Sequence, residues 1–245
     1  MMITLRDGTT TTDRRLDRLR EFDERSREHN IRGLVAPQLK TKTWQCKAFL
    51  DQGWEGACVG FSWSHAASSY TQHTRGITDA FAEQKVYWEA QKIDPWAGGA
   101  YPGAVPDDDG TSVLAGAKIM RQYGFIDGYK WAFNVDDVLA ALSNEGVVII
   151  GVWWRDSMWN PRPNGLLDIS GAQAGGHAIL VRGHNLKRRF TGEGEHHVVR
   201  LRNSWGKSWG LDGDCFLKVE DLETLLLDDG EACIPVGKHS LKQLP

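Results

Sequence analysis

A single thiol in a glycine-rich approach to an apolar run is the first feature of the chain that could do chemistry. In DQGWEGACVGFSW, residues 51–63, Cys58 follows Gly53 and Gly56, and the amide of Gln52 lies six positions upstream. A cysteine attacks a carbonyl only as its thiolate, so a nucleophile needs a lowered pKa, which a helix N-terminus and a histidine can supply. Tight turns at the glycines would leave the first helical N–H groups, with Gln52, free to donate to an oxyanion. The alternative is an inert thiol, because free cysteine is among the most buried residue types.

A base for this thiol and a group to orient that base have to come from elsewhere in the chain. In AGGHAILVRG, His177 follows two glycines and precedes an apolar strand, from whose mouth an imidazole can reach into a groove. In LRNSWGKSWGLDG, residues 201–213, Asn203 is followed by Trp205 and Trp209. An amide there can hold an imidazole in one orientation while indole rings keep water away. Each segment alone also fits a packed strand-end histidine or a tryptophan-rich turn in the core.

In their order along the chain, QGWEGAC, GGHA and NSWGKSWG resemble the papain family of cysteine peptidases. The resemblance implies Cys58 as the nucleophile, His177 as base and acid, and Asn203 as the group that orients the imidazole. It implies an oxyanion hole made by Gln52 and the Cys58 amide. The expected reaction is peptide hydrolysis through a thioester acyl-enzyme, with a polypeptide substrate, no cofactor and no metal.

The same resemblance assigns residues around the nucleophile and base. Trp205 and Trp209 are expected to shield the imidazole, and Gly176 and Ala178 to border the cleft.

Two positions depart from the family signature. Glu55 stands where the family has a disulfide-forming cysteine, and Val59 stands where it has an aromatic residue. A carboxylate at Glu55 near the thiolate is expected to raise the pKa of the cysteine, unless it points to solvent or meets a basic partner. The remaining cysteines, Cys46, Cys215 and Cys233, are predicted to be buried thiols rather than disulfides.

The elements that must position these residues follow from periodicity. Apolar residues recur at helical spacing from Cys58 to Tyr70 and over 78–94, and two further helices are predicted over 112–124 and 135–146. Thr78 or Asp79, Thr111 or Ser112, and Asn134 are the predicted N-caps. Strands are predicted over 147–154, 178–183, 197–203 and 214–219, with a charged hairpin extension over 184–197.

The helical front half and antiparallel rear half predict an α+β chain. We expect a papain-like two-subdomain fold with the active-site cleft between its halves. Residues 1–43 are predicted to be an arm crossing the domain, 44–135 a helical subdomain with the nucleophile, and 136–245 a β-rich subdomain, sheet or barrel, with the histidine and asparagine. The Pro- and Gly-rich stretch 94–112 is predicted to be a surface loop. Because the arm is shorter than the family's inhibitory propeptides, an unlocked peptidase is expected.

Composition excludes several classes of function. The chain has 245 residues, 25% of them charged, and a formal net charge of −3, which gives no electrostatic case for nucleic acid. No apolar run is long enough for a membrane span or a secretory signal, so a reduced intracellular compartment is expected. Adjacent residues His196 and His197 would point to opposite faces of a strand, so no metal site is predicted. Oligomeric state stays open.

Two other functions remain open at this point. One keeps the thiol chemistry in a peptide or isopeptide transferase, or in a cell-wall peptide hydrolase. The other is a catalytically silent binding or assembly module on the same fold. The presence of all four residues Cys58, His177, Asn203 and Gln52 argues against the silent module.

Overall fold

The computed structural model describes residues 2–21, 23–31, 38–69 and 73–245. Residues 1, 22 and 32–37 of the predicted arm and Tyr70 of the first helical pattern lie outside the described residues. The α-helices are α1 (Cys58–Ala67), α2 (Asp79–Phe81), α3 (Trp88–Gln91), α4 (Val113–Gln122), α5 (Val135–Asn144) and α6 (Val219–Leu227). Ala82–Tyr87 is a π-helix that joins α2 to α3, and Glu24–Glu28 and Asp156–Trp159 are 3-10 helices.

The other regular elements are strands. They are β1 (Ile3–Thr4), β2 (Thr10–Thr11), β3 (Arg18–Leu19), β4 (Lys42–Thr43), β5 (Thr111–Ser112), β6 (Ile126–Ala132), β7 (Val148–Arg155), β8 (Gln173–Phe190), β9 (Gly194–Arg202), β10 (Asp214–Lys218) and β11 (Glu231–Lys238).

The predicted helix starts are confirmed by their caps. Thr78 accepts a hydrogen bond from the Phe81 amide, Ser112 from the Ala115 amide and Asn134 from the Asp137 amide, at 3.2, 2.9 and 2.8 Å. Each side chain satisfies one N–H group that a helix start leaves without an intrahelical partner.

One antiparallel sheet dominates the fold. Its strand order is β10-β9-β8-β7-β11-β6, and β4 pairs with β8. The predicted hairpin extension is confirmed, because β8 and β9 stay paired as far as Phe190 and Gly194. Strand β6 and helix α6 are not among the predicted elements. β6 alternates poorly, since IDGYKWA sets aspartate, glycine and lysine among its apolar residues.

The helices cover both faces of this sheet. Val148, Ile150 and Val152 of β7 face a core shared with α5 and α6, while Val147 and Ile149 face a core shared with α1 and α4. A strand covered on both faces reads as one continuous apolar run, which explains the sequence VVIIGVWW. The structure therefore has mixed helix and sheet composition, with the large antiparallel sheet at its centre.

Helix α1 is buried along its whole length. It packs against β8, α4 and the π-helical segment. Gly60 permits this packing, because a Cβ there would lie 2.6 Å from the Cβ of Tyr87. The result is that Cys58, at the first turn of α1, lies against β8. In the described part of the chain, no helix combines the length and apolar character needed to span a membrane.

Candidate active site

Cys58 begins α1 and is fully buried. Its Sγ atom lies 3.3 Å from the backbone nitrogen of Ala178 on β8, which donates a hydrogen bond to it. Gly53 makes the preceding turn with φ +59°, a conformation that favours glycine. Because Cys58 is in the first turn, its own N–H has no partner four residues earlier in the helix.

His177 directly precedes Ala178 and is also fully buried. Its Nε2 atom lies 2.8 Å from Oδ1 of Asn203, which follows the end of β9. Asn203 is fixed in turn, because its backbone N–H donates to the Gly213 carbonyl at 2.9 Å and its Oδ1 also accepts from the Ser204 amide. Cys58, His177 and Asn203 are distant in sequence. The structure brings them into one cluster, where the start of α1 meets β8 and the end of β9.

Gln52 lies in the same cluster. Its Nε2 atom donates to the Glu55 carbonyl at 2.7 Å and to the Arg15 carbonyl at 3.3 Å. Its Oε1 atom accepts from the Ser204 hydroxyl, and its backbone N–H donates to the Ser204 carbonyl at 2.8 Å. Ser204 therefore joins the loop of Gln52 to the loop of Asn203.

Tryptophan rings surround the imidazole. The ring centroid of Trp205 lies 5.1 Å from that of His177, and Trp154 of β7 lies 4.7 Å away on an edge-to-face contact. Trp209 packs behind Trp205 at 5.7 Å, and its Nε1 atom donates to the Trp159 carbonyl. Trp205 and Trp154 contact the imidazole, while Trp209 supports Trp205.

An N-terminal strap, residues 13–19, lies across this cluster. Asp17 forms a parallel bridge with Gly176, and β3 pairs in parallel with β5. The Cys58 thiol donates to Oδ1 of Asp17 at 3.2 Å. Gly176 permits the approach, because a Cβ there would collide with the Arg18 carbonyl. The expectation of an unlocked site was therefore wrong: a short arm suffices to cover the thiol, because Gly176 lets its backbone come close.

Burial under the strap sets the protonation of the cluster. It raises the pKa of the Cys58 thiol well above its usual value, and Asp17 adds to the effect. Burial, with a contribution from Asp109, raises the pKa of Asp17 to about 8. It lowers the pKa of His177 to about 4, although the hydrogen bond to Asn203 opposes the change. All three groups are mainly neutral at pH 7. The helix start was expected to lower the pKa of the Cys58 thiol. With the strap in place this pKa is raised instead, because the cost of taking the thiolate out of water outweighs the stabilisation by the helix dipole.

The carboxyl group on the thiol is not the one that the sequence singled out. Glu55 is exposed, and its backbone carbonyl rather than its side chain is hydrogen-bonded to Gln52. Asp17 occupies the position for which Glu55 was considered.

Several residues of the cluster were missed from the sequence. Arg15 and Asp17 lie in a polar arm that carries no recognisable signal, Trp154 lies in a run interpreted only as a strand, and Trp159 follows it. Ser204 had a signal, because it stands between Asn203 and Trp205 in NSWG.

The four cysteines are free and buried, which confirms the prediction of buried thiols for Cys46, Cys215 and Cys233. Among the described residues, no group of three or more histidine, cysteine, aspartate or glutamate side chains is arranged to hold a metal ion.

Comparison with known proteins identifies the fold. No protein-family model and no curated protein sequence matches the chain. Solved structures do match. Xylellain, a cysteine protease from Xylella fastidiosa, is 17% identical over 93% of this chain and 94% of its own, with a TM-score of 0.58. The chain has the papain-like fold.

Two other solved structures with the papain-like fold extend the comparison. Digestive procathepsin L2 from the larval midgut of Tenebrio molitor is 16% identical over 91% of this chain and 79% of its own, with a TM-score of 0.53. The stem bromelain precursor is 15% identical over 93% of this chain and 77% of its own, also with a TM-score of 0.53. The family resemblance seen in the sequence is thereby confirmed at the level of the fold.

Proposed function

We propose that the chain is a cysteine peptidase and that the described conformation is its covered, latent form. The observation that carries this proposal is one juxtaposition: the Cys58 sulfur lies 3.3 Å from the amide next to His177, whose imidazole is 2.8 Å from Asn203. In the covered conformation the thiol donates to Asp17, and Nδ1 of His177 has no hydrogen-bond partner among the described residues, so thiol and imidazole are not yet hydrogen-bonded. A thiol at a helix start, an imidazole one residue before the strand amide that the thiol contacts, and an amide bonded to that imidazole are the groups that nucleophilic acyl transfer requires once the strap is displaced.

Each residue has a role in the proposed reaction. Once the strap leaves, His177 takes the proton of Cys58, and the thiolate sulfur attacks the carbonyl carbon of a peptide bond. The carbonyl oxygen takes up the negative charge, and the Gln52 amide and the Cys58 N–H donate to it. The imidazolium then protonates the leaving amine as the C–N bond breaks, and water hydrolyses the thioester with His177 as base.

The hydrogen bonds of Gln52 support its proposed role in the oxyanion hole. Its Nε2 atom already donates to a peptide carbonyl, that of Arg15. A carbonyl oxygen in that position is what the proposed oxyanion hole must hold during the reaction. We place the cleft between a helical part, residues 44–135, and a β-rich part, residues 136–245, as in the papain-like layout.

The substrate is proposed to be a polypeptide, which can reach the thiol only after the strap has moved. A peptide cannot approach Cys58 while Asp17 is hydrogen-bonded to the sulfur. Displacement of residues 13–19 is therefore required for activity.

The test is hydrolysis of a broad peptide mixture by the full chain carrying Arg15→Ala, a change that loosens the strap, with products read by mass spectrometry. Cys58→Ala in that background is expected to abolish cleavage. Cys46→Ser is the matched control, because this buried thiol lies near the His65 and Ala48 carbonyls, to which a serine hydroxyl can donate.

Two results would overturn the proposal. Cleavage that persists in Cys58→Ala excludes Cys58 as the nucleophile. No hydrolysis by the Arg15→Ala chain, although Cys58 is alkylated, excludes a peptidase, and products joined to an added amine instead of water would indicate a transferase.

A further inference from the structure

Three tryptophan rings surround the guanidinium of Arg15. Its Cζ atom lies 4.7 Å from the ring centroid of Trp54, 5.0 Å from that of Trp159 and 5.0 Å from that of Trp205. A cation over a tryptophan face is attracted by the ring quadrupole. We call Trp54, Trp159 and Trp205 the tryptophan cage.

Two walls of the cage are held by the protein rather than by Arg15. The rings of Trp159 and Trp205 are stacked, with centroids 5.3 Å apart and an interplanar angle of 17°. Trp154 and Trp209 contact Trp205 from behind, and Trp209 also donates a hydrogen bond to the Trp159 carbonyl. These two walls therefore remain in place when the strap leaves.

The third wall is unusual in its exposure. Trp54 is 74% exposed, which is high for the largest apolar side chain. It stands in the loop between Gln52 and Cys58, next to the proposed oxyanion hole. Because the Trp54 ring is held by little burial, its contact with the Arg15 guanidinium is the interaction that explains its position.

The charge that balances Arg15 belongs to the strap. Asp13 accepts hydrogen bonds from Arg15 at 3.0 and 2.7 Å, and among the described residues it is the carboxylate bonded to this guanidinium. When the strap is displaced, Arg15 and Asp13 leave together. The cage that remains recognises a cation by its aromatic faces, which favour the planar guanidinium over an ammonium group.

The cage lies on the leaving-group side of the proposed reaction. Trp205 contacts the ring of His177, the group that would protonate the departing amine. A cavity of about 540 Å³ continues from the cage and is lined by Trp159, Trp205, Trp209, Pro161 and Leu211, among others. Side chains that follow the scissile bond therefore have room there.

We propose that the tryptophan cage is a subsite for an arginine side chain of the substrate, on the C-terminal side of the scissile bond, and that Arg15 occupies it in the covered state. The inference rests on the proposed peptidase function. It names the substrate class: peptides with an arginine at the first or second position after the cleaved bond.

The test uses the full chain carrying Arg15→Ala, which empties the cage, and peptide pairs in which arginine at either position is replaced by citrulline. Citrulline has nearly the same shape but no charge. At one position we expect kcat/KM for arginine to exceed that for citrulline by about tenfold, as one or two cation–π contacts would give. Lysine is expected to fall between them.

Variants of the cage sharpen the test. Adding Trp54→Ala removes one of the three rings and is expected to lower the arginine-to-citrulline ratio, whereas Phe133→Ala, at an exposed aromatic residue outside the cage, leaves it unchanged. A ratio near one at both positions in the Arg15→Ala chain, or a ratio that Trp54→Ala does not lower, overturns the subsite while leaving the peptidase intact.

Absence of all cleavage contradicts the peptidase instead, and binding then decides the subsite. In the Arg15→Ala, Cys58→Ala chain, titration of argininamide and citrullinamide against tryptophan fluorescence is expected to give tighter binding of argininamide. Equal binding of the two amides overturns the cage as a cation site.

Discussion

The Asp214 cluster and the N-terminal strap both bury charged side chains, but they differ in how completely the charges are paired. Asp214 accepts from Arg182, Arg202 and Arg200 at 2.6, 2.5 and 2.6 Å. Arg182 and Arg202 also donate to the backbone carbonyls of residues 44 and 48. Although burial acts in the opposite sense, the hydrogen bonds from Arg182 and Arg202 hold the pKa of Asp214 below its usual value.

The strap is paired far less well. Within the described residues, Oδ2 of Asp17 and both Nε and Nη2 of Arg18 are buried without a hydrogen-bond partner. The ion pair of Arg18 with Glu231 is 3.5 Å long. An unsatisfied buried polar group costs free energy that its release to water recovers. The Asp214 cluster is therefore the more completely paired of the two regions, and this difference supports our proposal that the strap is the part that is displaced.

Breaking the Asp214 cluster is expected to have the largest effect. Asp214→Asn leaves the buried guanidinium groups of Arg182 and Arg202 without a counter-charge, so the free energy of unfolding should fall by about 3–5 kcal/mol. Denaturant unfolding followed by circular dichroism measures it. The control is Asp212→Asn, at a side chain 77% exposed whose one ion pair among the described residues is with Lys207 at 3.9 Å, and it is expected to change stability by about 0.5 kcal/mol or less. Similar losses in both variants would remove the distinction between the two regions.

Loosening the strap is expected to have a smaller effect on stability and a local one on reactivity. Arg15→Ala removes contacts with three rings, which together are worth about 1–2 kcal/mol. The amide hydrogens of residues 14–19 should therefore exchange about tenfold faster, and Cys58 should be alkylated about tenfold faster. Hydrogen exchange and alkylation followed by mass spectrometry measure this. Arg25→Ala is the control, because that side chain is 88% exposed and contacts only Asp23 among the ion pairs of the described chain. Unchanged exchange in Arg15→Ala would mean that the cage does not hold the strap.

The same contrast explains what the sequence could predict. Helices α1, α4 and α5, their caps at Ser112 and Asn134, and the hairpin of β8 and β9 follow from local periodicity and turn chemistry. The roles expected of Cys58, His177 and Asn203 come instead from the resemblance of their three segments to the papain family. The strap was not predictable, because Arg15 and Asp17 acquire their partners only through the approach to Gly176 and the packing of Trp159 against Trp205. Strand β6 was missed because tertiary pairing with β11 overrides its weak pattern.

The pH dependence of the strap tests its buried carboxyl group. Since burial raises the pKa of Asp17 from 3.8 to about 8, the covered state holds a proton that the released state gives up. The strap is therefore stabilised below pH 3.8 and weakens as the pH rises towards 8. His177, with its pKa lowered from 6.5 to about 4, acts in the opposite sense below pH 6.5. Between pH 6.5 and 8 the opening of residues 13–19, from amide exchange corrected for its intrinsic rate, should increase with pH. Asp17→Asn should abolish this increase, and an equal slope in both proteins would contradict the role of Asp17.

Glu55 is expected to have the smallest effect. Its side chain is exposed, so Glu55→Gln should change the alkylation rate of Cys58 by less than about twofold, because exposed charges are screened by water. Asp17→Ala, which removes the acceptor of the Cys58 thiol, is the comparison and should increase that rate. A larger change from Glu55 than from Asp17 would reverse the assignment.

The most direct test of the central claim, that Cys58 is a nucleophile with His177 as its base once the strap is displaced, is the alkylation of all four cysteines at pH 6 by iodoacetamide. In the Arg15→Ala chain, Cys58 should react far ahead of Cys46, Cys215 and Cys233, and ahead of Cys58 in the unaltered chain. Adding His177→Ala should remove this advantage, because the thiol then has no base. If the four thiols react together, or if Cys58 keeps its advantage without His177, Cys58 is a core thiol and the account is wrong.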